Sequence, residues 1–378
     1  MRIINTKFIF KLVLLFFILL FLTPKPVKAG VISEEIITID DFDLEDSGKI
    51  LKTQGYDNID YKYILKKLRD GDVLLVLKEI GRTAYEKTIG DVSLIEKTLV
   101  NLLLITIIAS FFTNFANVFS KNGISDTGFY ICYMVTVAIM VTMFEEFSII
   151  AAQLVKLLLK FVGGIIPAYF LSVAIVGQAA AAGFYQLTLV IIEVCQFVFL
   201  KITLPAIKIY MAISLVNNIS REDFLSGTTH VIENFINFVN KTMVGIVTGL
   251  NIIQGLILPS VDMAKNTTIK KFIRTLPVIG DGADAVTGML LGSANLIKNC
   301  IGIMIILICF VPYMKLQIYS ASIQILTAII QPVADRRIIE SLNCLCKGIR
   351  LLIRVVISSG FLFVISIAII CMTTNVKT

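Results

Sequence analysis

Residues 99–119 read LVNLLLITIIASFFTNFANVF, and this run decides the fold class of the chain. It is 21 residues long and carries no charged side chain. As an α-helix it would extend for about 31 Å at a rise of ~1.5 Å per residue, which matches the ~30 Å hydrocarbon core of a bilayer. Ser93 and Glu96 have the spacing of a capping box, which satisfies free amide groups at a helix start. The run therefore predicts a membrane-spanning helix.

The composition of the whole chain agrees with a membrane location. Of its 378 residues, 57% are hydrophobic and 16% are charged, and the mean hydropathy is +0.87. Soluble domains carry ~25% charged residues and cannot bury this much apolar surface. The numbers exclude a soluble enzyme, a disordered chain, a collagen and a disulfide scaffold. We predict an all-α fold, a polytopic integral membrane protein, and no nucleic-acid partner, because no basic stripe is interleaved with aromatic residues.

The first 98 residues differ in charge from the rest of the chain. Residues 1–29 hold five basic side chains and no acidic one, an apolar run at Leu12–Leu22, and the small-residue site Val27-Lys28-Ala29. This pattern predicts a cleaved signal peptide, with an uncleaved membrane anchor as the alternative. Residues 30–98 hold 15 of the 27 acidic residues. We expect them to form a small extracytoplasmic acidic helical segment, either a solvated hairpin or a docking module.

The membrane body is predicted to begin with a transmembrane hairpin at residues 99–150, whose second span runs from Phe129 to about Ile150. The positions of Lys and Arg then set the orientation, because positive charge stays on the cytoplasmic side. Basic clusters at 265–274 and 336–354 both lie inside if 297–314 and 316–334 form a hairpin between them. We expect six to eight spans after the signal peptide.

Two long regions of the body, residues 160–260 and 270–372, are related by an internal pattern. At an offset of 107 residues Pro205 matches Pro312, and Lys208 matches Lys315. This predicts a repeat of about 107 residues with four helical segments in each copy, although apolar chains also resemble each other by composition alone. An even number of crossings in each copy would make the repeats parallel, and an odd number would make them inverted.

The first segment of each repeat is rich in glycine and proline. Such paired interrupted segments mark a substrate path or a gate in membrane transporters, and small residues four apart let helices pack closely. Asp281 and Asp284 cannot face lipid, so they either line a wet cavity or lie in a loop at the membrane surface. The predicted pore-lining or helix-packing residues are Gly163, Gly164, Pro167, Gly177, Gly183, Pro277, Gly280, Asp281, Gly282, Asp284, Gly288 and Gly292.

Motifs of catalysis are missing from the sequence. The single histidine, His230, excludes a two-histidine zinc site, and neither a Walker loop nor a G-x-S-x-G elbow occurs. Val278-Ile-Gly280-Asp281 has part of the motif of intramembrane aspartyl proteases, but the first glycine of that motif is absent. All seven cysteines lie in the membrane body, where a buried apolar role is the default. We expect no enzymatic activity, no catalytic or metal site, and no cofactor.

The whole layout resembles the stage III sporulation protein AE family of endospore-forming Firmicutes. The shared features are the signal sequence, the short acidic ectodomain, the multi-span body and the stretch Leu276–Asn299, LPVIGDGADAVTGMLLGSANLIKN. The resemblance implies a subunit of a mother-cell complex that meets a forespore protein across the intermembrane space during engulfment. In that family the complex is regarded as a channel or feeding apparatus that supports late forespore gene expression.

The resemblance also implies partners and a location. The partners are other membrane proteins of the stage III sporulation A operon, a secretion-type ATPase and the forespore protein, in addition to the lipid bilayer. The location is the mother-cell membrane that surrounds the forespore, with the N-terminal segment extracytoplasmic. The family supplies no catalytic residues.

Two other functions stay open from the sequence. A secondary transporter or permease would have broken, glycine-rich helices around a midplane site, and its uptake would depend on protons or sodium bound near Asp281 or Asp284. A non-conducting structural scaffold would tolerate Asp281→Asn and Asp284→Asn without loss of function.

Overall fold

The computed structural model describes Arg82 and residues 97–111, 124–175, 179–219, 224–273 and 309–374. Within these ranges the chain is helical apart from short turns, and it contains no strand. The prediction of an all-α fold is confirmed for this part of the chain. The signal peptide at 1–29 and nearly all of the acidic segment at 30–98 lie outside the described residues and stay predictions.

Seven α-helices and one π-helical turn make up the described ranges. Their bounds, in chain order, are α1 Lys97–Phe111, α2 Ile124–Ile175, α3 Ala179–Val198, the π turn Phe199–Thr203, α4 Leu204–Asn217, α5 Ser226–Ile273, α6 at residues 309–330 and α7 Arg336–Thr374.

Four of these elements are long and apolar enough to cross a membrane. The candidate spans are Thr127–Lys160, Gln186–Asn217, Ser226–Ile253 and Arg336–Ser366. A shorter apolar helix, α1, covers the first part of the run that opens the membrane body, and residues 112–119 of that run lie outside the described ranges. A multi-pass membrane protein is therefore supported, whereas the expected total of six to eight spans stays a prediction.

Two helices run further than the sequence analysis expected. Helix α2 begins before Phe129 and continues to Ile175, so it passes through Gly163, Gly164 and Pro167 without a break. A proline inside a membrane helix is tolerated because neighbouring groups satisfy the freed carbonyl. Residues 309–330 form one helix, so the hairpin expected between 314 and 316 is wrong. Residues 313–317, YMKLQ, contain no Gly, Pro, Asn, Asp or Ser that would favour a turn at that point.

Helix α7 lies at the centre of the bundle and packs against α2, α3, α4 and α5. In an 18-residue stretch of its candidate span 67% of the residues are buried, against 17% in the corresponding stretch of α5. Apolar side chains recur along α7 at intervals of three and four residues, which is the spacing of one helix face. Those at most 1% exposed include Leu342, Leu345, Ile349, Leu352 and Val356.

Candidate functional site

Polar side chains of α7 contact each of its main neighbours, and we treat these contacts as the candidate functional site. A polar group inside a membrane helix is costly to bury without a partner, so it marks a position that function or assembly requires. The residues that make the contacts on α7 are Ser341, Arg354, Ser358, Ser359 and Ser366.

The first contact ties α7 to α2 and to the end of α4. The hydroxyls of Tyr133 and Ser341 are 2.8 Å apart, and both side chains are at most 1% exposed. Ser341 donates its own proton to the carbonyl of Arg337, at 2.8 Å, so Tyr133 is the donor to Ser341. Asn218 also donates to Ser341 Oγ, at 3.4 Å. Three helix segments are thus joined through one buried hydroxyl.

The second contact ties α7 to α3. Ser359 Oγ donates to Gln196 Oε1 at 2.5 Å, and Gln196 Nε2 donates to the Ser359 carbonyl at 3.1 Å. Both residues are 0% exposed. Because donor and acceptor are both satisfied, this contact fixes the axial and rotational position of α3 against α7.

The third set of contacts joins α5 to α7, and we call it the α5–α7 polar interface. Its three pairs run along both helices in the same direction, from Arg354 to Ser366 on α7. On α5 their ends, Asn237 and Asn251, are 14 positions apart, or about 21 Å at ~1.5 Å per residue. The pairs are Arg354 Nη1 to Asn237 Oδ1 at 2.6 Å, Asn240 Nδ2 to Ser358 Oγ at 2.9 Å, and Asn251 Nδ2 to Ser366 Oγ at 2.9 Å.

An exposed ion pair lies on the outside of the bundle, between α2 and α4. Lys208 Nζ is 2.6 Å from Glu145 Oε1, and the side chains are 44% and 50% exposed. Both residues are inside candidate spans. An ion pair facing acyl chains is expensive, so this surface must meet the headgroup region, water or another protein. The sequence analysis had paired Lys208 with Lys315 as a repeat position and did not find the ion pair.

The helix formed by α3 and α4 is widened by a π turn just before Pro205. The Leu204 N–H donates to the Phe199 carbonyl, five residues back. Pro205 has no N–H to continue the ordinary ladder, and the wider turn absorbs that gap. Thr203, in the turn, is 1% exposed, and its hydroxyl has no hydrogen-bond partner. π turns of this kind are frequent at functional sites.

Two glycines of α7 permit close helix contacts that the sequence analysis missed. A Cβ built at Gly348 would be 2.8 Å from Phe144 Cε2, and one built at Gly360 would be 2.7 Å from Cys309 Sγ. Neither position has a second glycine four residues away, so the small-residue spacing gave no signal. By contrast, a Cβ at Gly245 or Gly249 on α5 meets nothing within 4 Å.

Four of the predicted glycine and proline residues lie on described helices. Gly163, Gly164 and Pro167 lie in the backbone of α2, and Gly183 lies in α3. The other predicted site residues lie outside the described ranges and stay predictions: Gly177, Pro277, Gly280, Asp281, Gly282, Asp284, Gly288 and Gly292. Among the described residues no three His, Cys, Asp or Glu side chains are grouped as metal ligands.

Comparison with known families gives one match that covers most of the chain. The family model described as stage III sporulation protein AE matches residues 59–374. Neither the curated proteins nor the solved structures gave a significant match.

Proposed function

Because this chain belongs to the stage III sporulation protein AE family, we propose that it is a membrane subunit of a channel complex that links the mother cell to the forespore during sporulation. The match spans all of the described helices, so the family relation concerns the membrane body itself. The four candidate spans support a multi-pass location. The proposed membrane is that of the mother cell around the forespore, with the N-terminal segment extracytoplasmic.

The observation that carries the proposal, beside the family match, is the set of polar contacts on the central helix. In lipid, apolar side chains give little preference for one helix pairing over another, whereas interhelical hydrogen bonds and close small-residue contacts specify it. The α7 contacts set the positions of four neighbouring segments in this way. A subunit that must present one fixed surface to other membrane proteins needs such a defined arrangement.

The proposed partners follow from the same family. They are other membrane proteins of the stage III sporulation A operon, a secretion-type ATPase and a forespore protein across the intermembrane space. The exposed Glu145–Lys208 pair supports contact with protein or with headgroups, because lipid hydrocarbon would be an unfavourable neighbour for it.

We also propose that the internal repeat is part of this architecture. Pro205 lies in α4 and Pro312 lies in α6. The next described helix along the chain is the long α5 in the first case and the long α7 in the second. The same order of elements at an offset of 107 residues supports duplication. The predicted glycine segments would then occupy equivalent places at the start of each copy.

Deletion and co-purification test the proposal. We expect an in-frame deletion in an endospore-forming host to abolish heat-resistant spores and to stop late forespore gene expression after engulfment. A tagged full-length chain should restore both, and should co-purify with the ATPase and the other membrane proteins from sporulating cells. The same tagged chain expressed in vegetative cells, where the partners are not made, is the control. Normal spore counts in the deletion strain would refute the proposal.

A further inference from the structure

The α5–α7 polar interface is held differently from the other helix contacts. Among the candidate spans, that of α5 has the lowest buried share, 17% of an 18-residue stretch. Apolar side chains of α5, among them Ile236 and Val247, pack in the core beside the polar pairs.

The side-chain amide of Asn251 lacks one of its hydrogen-bond partners. It is 0% exposed, and its Oδ1 atom has no hydrogen-bond partner. Its Nδ2 atom donates to the Val247 carbonyl and to Ser366 Oγ, both at 2.9 Å, and Ser366 gives its own proton to the Leu362 carbonyl. If the amide oxygen and nitrogen of Asn251 were exchanged, its oxygen would face the Val247 carbonyl and Ser366 Oγ, and both of these groups can only accept a hydrogen bond there. The direction of the amide is fixed by its partners, and the unpaired oxygen is a property of the closed interface.

Two more groups on α5 share this condition. Asn240 Oδ1 and Thr248 Oγ1 are buried and have no hydrogen-bond partner. Thr248 is three residues before Asn251, so their side chains are neighbours on the helix surface. Of the six buried side-chain polar atoms without a partner in the described ranges, three lie on α5. A buried polar atom that has lost its bond to water destabilises the state in which it is buried.

The contact between α3 and α7 provides the contrast within the same helix. Ser359 and Gln196 exchange two hydrogen bonds and leave no atom without a partner. Ser358, the adjacent residue on α7, faces Asn240 of α5, whose Oδ1 atom is unpaired. Ser359 thus belongs to an interface in which every buried polar atom has a hydrogen-bond partner, whereas the adjacent Ser358 belongs to one that contains an unpaired oxygen.

We propose that α5 separates from α7 far enough to admit water along Asn240, Thr248 and Asn251, while the α3–α7 contact stays closed. Water can donate to the two amide oxygens and can both donate to and accept from the Thr248 hydroxyl. Entry of water therefore replaces unpaired groups by hydrogen-bonded ones, and this gain offsets part of the apolar contact that is lost when α5 moves away from α7. The inference rests on the proposed function and deepens it, because it locates the aqueous path of a channel subunit within one chain.

Cysteine labelling at the two adjacent serines tests the inference. The full-length Ser358→Cys and Ser359→Cys variants are expressed separately, and isolated membranes are treated with a small water-soluble methanethiosulfonate. Peptide mass spectrometry then follows the adduct at each position, with the buried native Cys195 and Cys346 as references. Because the thiosulfonate reacts with a hydrated thiolate, Ser358→Cys should react at least about tenfold faster than Ser359→Cys. Equal rates, or no reaction at either position, would overturn the proposal.

A third cysteine variant and a disulfide cross-link keep the test informative if one variant fails to reach the membrane. Thr248→Cys probes the same interface from α5 and should react as fast as Ser358→Cys. A disulfide between Asn251→Cys and Ser366→Cys should slow the reaction of Ser358→Cys to the rate of Ser359→Cys, and a reductant should restore it. Labelling needs no sporulation, so fast labelling combined with normal spores in the deletion strain would refute the proposed function and leave this inference standing.

Discussion

Substituting Gly348 by alanine adds one methyl group at a close contact between α7 and α2. The new Cβ would be 2.8 Å from Phe144 Cε2 and 3.2 Å from Met211 Sδ. Phe144 is 4% exposed and Met211 is 2% exposed, so neither side chain can turn out into open space. Overpacking of this kind costs about 1–3 kcal/mol.

The same substitution also improves the intrinsic helix propensity, by about 1 kcal/mol. Gly245→Ala on α5 is the matched control, because its Cβ meets nothing within 4 Å and only the gain in propensity remains. We expect Gly348→Ala to be less stable than Gly245→Ala by about 1–3 kcal/mol. Phe144→Leu in the Gly348→Ala background should recover part of the loss, because it removes the ring atom nearest to the new methyl group.

Thermal unfolding of the purified full-length chain in detergent measures the difference. The midpoint of Gly348→Ala should lie at least about 2 °C below that of Gly245→Ala. The spore count of a strain that carries Gly348→Ala should fall, whereas Gly245→Ala should sporulate normally. Equal midpoints for the two variants would refute the packing argument. An unchanged penalty in the presence of Phe144→Leu would show that the strain arises elsewhere.

Three further predictions concern polar contacts and the glycine segment. Ser359→Ala should destabilise the chain by about 1–3 kcal/mol, because the buried Gln196 Oε1 loses its donor. A second change, Gln196→Leu, should recover most of this loss, and thermal midpoints measure both effects. Glu145→Gln should leave the thermal midpoint nearly unchanged, because an exposed ion pair contributes little to stability. It should weaken co-purification with partner proteins if the Glu145–Lys208 pair contacts protein. Lys208→Met should have the same two effects. Gly288→Leu should block close helix packing and reduce the spore count, and normal complex assembly with this change would contradict the predicted role of the segment.

The class of fold can be predicted from the sequence because composition and the length of apolar runs are properties of one continuous segment. The uncharged run at 99–119 and the apolar stretches of α2 and α7 are sufficient to identify membrane helices. The polar contacts are different, since Asn240 and Ser358 are 118 residues apart and Gln196 and Ser359 are 163 residues apart. A serine or an asparagine in a helix is compatible with many neighbours until the rotation of both helices is known.

The glycines also show that close helix contacts cannot be predicted from the sequence of one helix. Gly245 and Gly249 have the small-residue spacing, yet nothing lies within 4 Å of either position, whereas Gly348 and Gly360 lack that spacing and are in close contact. Spacing along one helix records only what that helix permits. Whether a neighbour uses the space depends on the other helix, on its crossing angle and on its own side chains.

The length of α2 affects how the molecule can be placed in a cell envelope. Its candidate span, Thr127–Lys160, has 34 residues and is therefore about 51 Å long, and even a tilt of ~40° reduces its height only to about 39 Å. The hydrocarbon layer is ~30 Å thick, so part of this helix stands clear of it. The exposed apolar side chains from Ile131 to Ile149 extend for about 27 Å and fit within the layer. The remaining length of α2 is left to contact headgroups, water or another protein.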